Sequence, residues 1–174
     1  NVLQSIQIQR GVGTSTNGVS SFGGSISFQS QTGIEKESSI SVGYGSFNTK
    51  RVNASTSTGL SKKNFAAFTN ASYYSSDGFR DRSGGDGYSV SFSGGYYGTK
   101  NIIKLSAFTG KSSNEMAWLA VSERDIRENK KTNYNINDAT DSFRQSFIQL
   151  SYTLNINQYN KLSFNTFYNR LDGS

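Results

Sequence analysis

The chain has 174 residues, of which only 33% are hydrophobic, yet it contains 12 Phe and 10 Tyr. This composition fits poorly with a packed soluble core and equally poorly with disorder. The chain has no Cys, which excludes disulfides and thiol chemistry, and no apolar run approaches the ~20 residues of a membrane-spanning helix. The net charge of +6 comes from Lys and Arg scattered among Asp and Glu, so no nucleic-acid partner is expected.

The chain opens with two alternating runs that are separated by a glycine-rich stretch. Residues 6–28 read IQIQRGVGTSTNGVSSFGGSISF. The glycines between Gly11 and Gly18 superficially suggest a phosphate-binding loop, but no Lys-Ser/Thr pair follows Gly18 and no helical pattern begins there. We therefore interpret the glycines as turns and close backbone approaches.

Seven runs with a period of two follow. One side of each run is mostly apolar, as with Ile148, Leu150 and Tyr152, and the other is mostly polar, as with Gln149 and Ser151. This alternation is typical of strands and not of a helix stripe. The predicted strands lie at about residues 38–47, 51–58, 65–73, 88–96, 102–108, 147–156 and 161–169.

The connections between these runs alternate in length. Tight turns follow the second, fourth and sixth runs, whereas long polar loops, Ser75 to Gly87 and Lys111 to Asp141, follow the third and fifth. The connection near Phe47 to Thr49 is the exception, because it is short and falls on the long-loop side. Antiparallel strands with short turns at one end and long loops at the other are typical of outer-membrane barrels.

Charges and tyrosines follow the same division. Charged residues in the strands fall on the polar side, as with Arg51, or near strand ends, as with Lys50 and Arg144. A Lys or Arg facing lipid at mid-bilayer would cost about 2–4 kcal/mol. Tyrosines on the apolar side are predicted to form interfacial girdles at the two ends: Tyr44, Tyr73, Tyr88 and Tyr168 at one and Tyr96 at the other.

The glycine-rich N-terminal stretch carries a family resemblance. Arg10-Gly11, Gly18 and Gly23-Gly24, followed by an apolar strand, resemble the end of the plug domain of a TonB-dependent outer-membrane transporter. The segments YGSFNTKR and SDGFRDRS are also similar to that family. The resemblance implies that residues 1–32 are the C-terminal part of the plug. Residues 33–174 would be the first seven or so strands of a 22-stranded transmembrane antiparallel β-barrel, and the chain a fragment.

This resemblance implies a function. The protein would be an outer-membrane receptor of a Gram-negative bacterium that imports a scarce ligand by energised rearrangement of the plug. The first candidate ligand is an iron–siderophore complex, followed by cobalamin and glycans. The expected partners are outer-membrane lipid, an extracellular small ligand such as an iron chelate, accessory outer-membrane proteins, and TonB, acting through a plug segment outside this chain. Arg10 in its family-like position would be buried and paired with carboxylates of the barrel wall.

The long loops hold the candidate ligand contacts. The segment AWLAVS, residues 117–122, is similar to an outer loop of Bacteroidetes-type transporters. Loops on a rigid barrel commonly carry binding residues, and aromatic side chains suit a flat ligand. The candidates are Phe79, Arg80, Trp118 and Tyr134. The acidic and basic residues between Glu115 and Asp138 are predicted to form a solvated, internally paired cluster instead, and no metal site is expected.

Two other classes of function remain open. An outer-membrane enzyme or porin would share the barrel pattern. However, a chain with no His and no Cys cannot build a Ser-His pair or a Cys nucleophile. A carboxylate pair stays open, but nothing in the sequence places two carboxylates on adjacent faces, so we expect no catalytic residues and no cofactor. A secreted adhesin or β-solenoid would explain the abundance of Ser, Asn and Gly, but a solenoid has a fixed repeat, and these strands are irregularly spaced.

Overall fold

The computed structural model describes residues 3–11, 23–135 and 139–173, which form two antiparallel sheets. The first sheet pairs two strands and the second contains seven, in which the spatial order of the strands is their order in the chain. One short helix, α1 (Glu123–Glu128), is present in the described part of the chain. The strands are β1 (Leu3–Arg10), β2 (Gly24–Ser30), β3 (Ser38–Gly45), β4 (Thr49–Ser57), β5 (Phe65–Ser76), β6 (Gly85–Tyr97), β7 (Asn101–Glu115), β8 (Thr140–Asn155) and β9 (Lys161–Gly173).

The seven-stranded sheet confirms the predicted all-β class, the number of runs and their antiparallel order. It is open, with β3 and β9 at its two edges. Residues 58–64, 98–100 and 156–160 join β4 to β5, β6 to β7 and β8 to β9 at one end of the sheet, which we call the turn end; the first of these connections is only one residue shorter than the loop 77–84. Residues 77–84 and 116–139 connect strands at the opposite, long-loop end.

The pairing registers place most apolar side chains of the seven strands on one face, which we call the apolar face. Leu105 lies opposite Leu150, and Ile103 lies opposite Tyr152. The pattern continues through residues of each strand: Ile40, Val42, Val52, Ala54, Phe65, Ala71, Val90, Phe92, Ile148, Leu162 and Phe164. The predicted division into two faces is therefore confirmed across the whole sheet.

The opposite, polar face carries hydroxyl and amide side chains that bond to one another between strands. Ser39 and Ser55 lie 2.8 Å apart through their hydroxyl oxygens, and Ser72 and Ser89 lie 2.7 Å apart. Gln145 donates to Asn169 over 3.1 Å at the other edge of the sheet. Such cross-strand pairs stabilise a sheet face that contacts water.

The polar face also has an aromatic row, which the alternation does not predict. The rings of Phe108 and Phe147 stack with centroids 5.4 Å apart, and Phe147 stacks on Phe167 at 6.2 Å. The row crosses three neighbouring strands, because these positions are opposite or diagonal in the registers. Offset stacking of this kind adds about 0.5–1.5 kcal/mol per pair beyond the area that it buries.

The sheet has almost no apolar interior of its own. Within the described residues, Ala66 and Phe68 are the buried hydrophobic side chains, whereas Ile40 is 80% exposed and Ile148 is 46% exposed. An isolated soluble domain buries most of its large apolar side chains. The apolar face of this sheet is therefore exposed, and the rest of the described chain does not cover it.

Residues 31–37, which we call the link, cross the turn end of the polar face and account for the burial of Phe68. Ser57 bonds to the link through backbone and side chain: its N–H donates to the Glu37 carbonyl over 2.7 Å, and its hydroxyl donates to the Glu35 carbonyl. Leu60 N–H donates to the Ile34 carbonyl over 2.9 Å. These bonds fix the link against β4 and β5.

Gly33 is the point of closest approach between the link and the sheet. Its φ is +72°, and a Cβ placed on it would lie 2.4 Å from the carbonyl carbon and oxygen of Ala67. Tyr97 closes the same region by donating its hydroxyl to the Thr32 carbonyl over 3.2 Å. A residue with a side chain cannot occupy position 33 unless the link moves away from the sheet.

The structure corrects the predicted bounds of the long loops. β5 and β6 remain paired as far as Ser76 and Gly85, and β7 and β8 as far as Glu115 and Thr140. The loops are therefore shorter than Ser75 to Gly87 and Lys111 to Asp141. The reason is that a backbone ladder continues through Ser, Asn and Gly once apolar alternation has ended, since the hydrogen bonds do not depend on the side chains.

Candidate functional site at the long-loop end

The two long loops form one interlocked layer above the sheet. Arg80 of the first loop donates from Nε to the Thr132 carbonyl over 2.9 Å and from Nη1 to the Ala117 carbonyl over 2.7 Å, both in the second loop. Ser83 fixes the backbone of Arg80, because its hydroxyl accepts from the Arg80 N–H at 2.9 Å. A half-buried guanidinium that satisfies two carbonyls holds the loops together.

Arg82 and Asn133 form a second connection between the same loops. Arg82 donates from Nη2 to the carbonyls of Asn133 and Asn135, over 3.1 and 3.0 Å. In the reverse direction, Asn133 donates its side-chain amide to the Asp81 carbonyl of the first loop over 2.8 Å. The same amide donates to the Met116 carbonyl of its own loop over 3.1 Å. Each loop therefore supplies side-chain donors to the other loop's backbone.

The base of this layer is tied to the strands. Gly84 N–H donates to the Glu115 carboxylate over 2.9 Å, and Glu115 N–H donates to the Gly84 carbonyl over 2.8 Å. At the β3–β4 turn, the ring of Phe47 packs edge-on against Phe79 with centroids 5.4 Å apart. Phe47 and Asn48 have φ values of +58° and +53°, as a type I′ hairpin turn requires at both central positions.

Helix α1 in the second loop is capped by Ser122. The Ser122 hydroxyl accepts from the Asp125 N–H at 3.2 Å and donates to the Asp125 carboxylate over 2.6 Å. Tyr134 also donates its hydroxyl to Asp125. Hydrogen bonds from Ser122 and then from Tyr134 lower the pKa of Asp125 below its ordinary value, because both stabilise the carboxylate.

Four of the five charged residues of the helix form two ion pairs, as predicted. Arg127 and Glu123 lie 2.5 Å apart, and Arg124 and Glu128 lie 3.3 Å apart, each pair four residues apart on the helix. All four side chains are exposed, so each pair contributes about 0.3–0.5 kcal/mol.

The structure brings the four predicted ligand contacts to one end of the sheet but gives them different environments. The Arg80 guanidinium donates to two backbone carbonyls. Phe79 is half-exposed and packs its ring against Phe47. Trp118 is 74% exposed, and Tyr134 is 46% exposed with its hydroxyl held by Asp125. Arg80 bonds to the carbonyls of residues 117 and 132, which are one and two positions from Trp118 and Tyr134 in the sequence. The second loop therefore offers an exposed indole and a phenol whose hydroxyl is fixed, and aromatic surfaces of this kind suit contact with a flat ligand.

Sequence reasoning missed the residues that build this layer. Arg82, Asn133 and Asn135 join the loops, and nothing in their local spacing indicates partners fifty residues away. The one usable signal is the Arg-Asp-Arg triplet at residues 80–82, because two arginines in a glycine-bounded loop require acceptors.

The predicted plug signature lies in and around the two-stranded sheet. Arg10 pairs in register with Gly24, and Gly11 N–H donates to the Gly23 carbonyl over 3.2 Å. Gly11 has a φ of +94°, which supports its interpretation as a turn residue. Arg10 is exposed here, and its pairing with carboxylates of other strands stays a prediction. Gly18 lies outside the described residues.

No protein-family model matches this chain, and no curated protein matches it. Within the described ranges, no three His, Cys, Asp or Glu side chains cluster as metal ligands would. None of the described helical residues forms a helix with the length and hydropathy that crossing a membrane demands.

Proposed function

We propose that this chain is part of a TonB-dependent outer-membrane receptor that imports a scarce extracellular ligand, with an iron–siderophore complex as the leading candidate. The observation that carries the proposal is the apolar face. It runs unbroken across seven antiparallel strands and has no apolar partner among the described residues. Hydrocarbon is the environment that such a face requires, and β-strands reach it only as a barrel wall.

Strand length and charge support this assignment. β5 to β9 each contain 12 or more residues, and a tilted strand needs about 9–11 to cross a bilayer. Charged residues on the apolar face lie in its long-loop part, where Lys111 is opposite both Tyr88 and Arg144. The rows of Phe92, Gly94 and Tyr96 and their partners on β5, β7 and β8 carry no charge.

The proposal assigns the remaining features to a receptor. The polar face would line a water-filled or plugged lumen, the interlocked loops would meet the ligand outside the cell, and residues 1–32 would belong to the plug. β3 and β9 would pair with further strands of a 22-stranded barrel, because an open edge in lipid leaves backbone groups unsatisfied. The plug-like glycine pattern from Arg10 to Gly24 favours a receptor over a porin.

Fractionation and uptake test the proposal separately. The protein should sediment with outer membranes and require detergent for release; release in plain buffer would instead support a secreted adhesin. Cells grown without iron should then lose uptake of a labelled iron chelate when the gene is deleted and regain it on complementation. Equal uptake in the presence and absence of the gene would remove iron chelates from the proposal.

Trp118 provides a residue-level test of the ligand surface. The Trp118→Ala variant should weaken chelate binding by about 10-fold, since one base-like stacking contact contributes about 1–3 kcal/mol. Leu60→Ala, an exposed apolar residue at the turn end, is the matched control and should bind normally. Normal binding by Trp118→Ala would exclude the indole from the site.

A further inference from the structure

The apolar face contains a hollow near the turn end, centred on Gly94, which we call the Gly94 hollow. It has a volume of about 810 Å³, within the about 300–1,000 Å³ range of ligand pockets. In register, Gly94 lies between Ala67 and Leu105, so two small residues adjoin in one row. The walls are formed by larger neighbours: Phe65, Phe92, Tyr96 and Leu105.

The rings around the hollow give it an apolar floor and a polar rim. A Cβ on Gly94 would lie 2.8 Å from Cζ of Phe92, so the Phe92 ring extends over the glycine. Tyr96 points the other way, because its hydroxyl would lie 2.8 Å from a Cβ on Gly98 in the turn. The Phe65 and Tyr96 rings are in contact at 5.2 Å. An aromatic residue with its hydroxyl at the end of a membrane wall marks the interfacial level.

The turns beside this rim are cationic. Residues 58–64 contain Lys62 and Lys63, residues 98–100 contain Lys100, and neither turn contains Asp or Glu. All three lysines are exposed. The turns adjoin, because Tyr97 N–H donates to the Asn64 carbonyl over 2.8 Å. The long-loop end of the same face differs, since Asp172 is opposite Arg144 there. These two turns therefore place three lysines, with no carboxylate of their own, beside this end of the apolar face.

We propose that the Gly94 hollow holds one acyl chain of an anionic phospholipid whose phosphate is bound by Lys62, Lys63 and Lys100. The inference rests on the proposed function, because the apolar face must lie in lipid for an acyl chain to reach the hollow. The hollow supplies apolar contact, Tyr96 supplies a hydroxyl at headgroup level, and the lysines supply the charge. Basic side chains near a membrane surface each add about 1 kcal/mol toward anionic lipid, or roughly fivefold in affinity.

Lipid retention measured by native mass spectrometry tests this site. The complete protein, delipidated in detergent, is incubated with phosphatidylglycerol or with phosphatidylcholine of the same chain length. The unaltered protein should retain phosphatidylglycerol in preference. Replacing all three lysines by Gln should lower retention by about 100-fold, and Gly94→Leu, which fills the hollow, should lower retention of both lipids. Lys111→Gln, at the long-loop end of the same face, is the matched control and should retain lipid normally.

The outcomes separate this inference from the proposed function. Inorganic phosphate added at high concentration should not displace the lipid, since a free anion lacks the acyl chain. Displacement would mean that the lysines bind any anion and that the hollow does not hold an acyl chain. Equal retention of the two lipids, or unchanged retention in the lysine variant, would overturn the lipid site. If lipid retention fails, a nitroxide on Val90→Cys distinguishes the two proposals. Contact of the nitroxide with lipid would support the barrel wall although the lipid site is wrong, and contact with water would contradict both the barrel wall and the lipid site.

Discussion

The two faces of the seven-stranded sheet are made from the same strands yet are stabilised differently. On the polar face, hydroxyls and amides bond across strands, as with Asn70 and Asn53 at 3.2 Å, and the link crosses one end. On the apolar face, side chains such as Ile148 and Leu150 are opposed by further apolar residues and stay exposed. Each strand therefore carries two chemically different faces, and we expect each face to tolerate substitutions that the other does not.

The largest effect should come from Gly33, where the link meets the polar face. Gly33→Val should destabilise the protein by about 4 kcal/mol, because a left-handed φ costs ~1–2 kcal/mol and overpacking against Ala67 costs ~1–3 kcal/mol. Urea unfolding in micelles measures the change. Gly43→Ala is the matched control, since a Cβ there would meet its nearest atom, in Arg51, at 3.8 Å. If both variants unfold at the same urea concentration, the link is not fixed at Gly33.

The next effect compares neighbouring residues on opposite faces of β8. Leu150→Lys should cost about 3 kcal/mol of stability in lipid vesicles, because it places a charge on the apolar face away from either end. Gln149→Lys should cost under about 1 kcal/mol, since Gln149 lies on the polar face. Equal costs would mean that the two faces meet the same solvent.

A smaller effect is expected at Arg80, which joins the two long loops. Arg80→Ala should destabilise the loop layer by about 2 kcal/mol, because two carbonyls lose a charged donor. Amide hydrogen exchange should rise in residues 116–135 and remain unchanged in β5 and β6. Arg124→Ala removes an exposed ion pair in the same loop and should change exchange very little. Protection that survives the loss of Arg80 would show that the loops are held by other contacts.

The smallest effect concerns Asp125. Its pKa is lowered in the folded loop, so the stabilisation by Ser122 and Tyr134 is present above the ordinary pKa of about 3.9 and is lost as the pH falls through the folded value. Hydrogen exchange in α1 should therefore increase below about pH 4. Asp125→Asn should remove this pH dependence. If Asp125→Asn shows the same rise in hydrogen exchange at low pH, another titratable group causes it.

The sequence predicts the sheet well because alternation is a local signal. Leu150, Tyr152 and Leu154 each follow a polar residue, so the local sequence predicts their shared face, and the registers confirm it. The turns carry equally local signals, such as the Asn157 side chain that accepts from the N–H of Asn160. The ends of β7 and β8 were less predictable, because the polar residues Ser112 and Ser113 continue the ladder where the apolar alternation has ended.

The loop layer could be predicted only in outline. Composition predicts loops at Ser75 to Gly87 and Lys111 to Asp141, but the bond from Arg80 to Thr132 spans fifty-two positions and has no periodicity. The approach of Gly33 to Ala67 is similar, since a glycine in a link does not reveal which backbone it meets. The aromatic row of Phe108, Phe147 and Phe167 also breaks the alternation rule, and its rings become neighbours only in the folded sheet.

A cysteine scan along β8 tests the central claim most directly, because the chain has no Cys of its own. Single Cys residues at positions 147–152 are labelled with a nitroxide in lipid vesicles, and collisions with oxygen, which concentrates in hydrocarbon, are compared with collisions with a water-soluble nickel chelate. The account predicts high oxygen and low nickel accessibility at 148, 150 and 152, and the reverse at 147, 149 and 151. Uniform nickel accessibility at all six positions, or loss of the alternation, would contradict it.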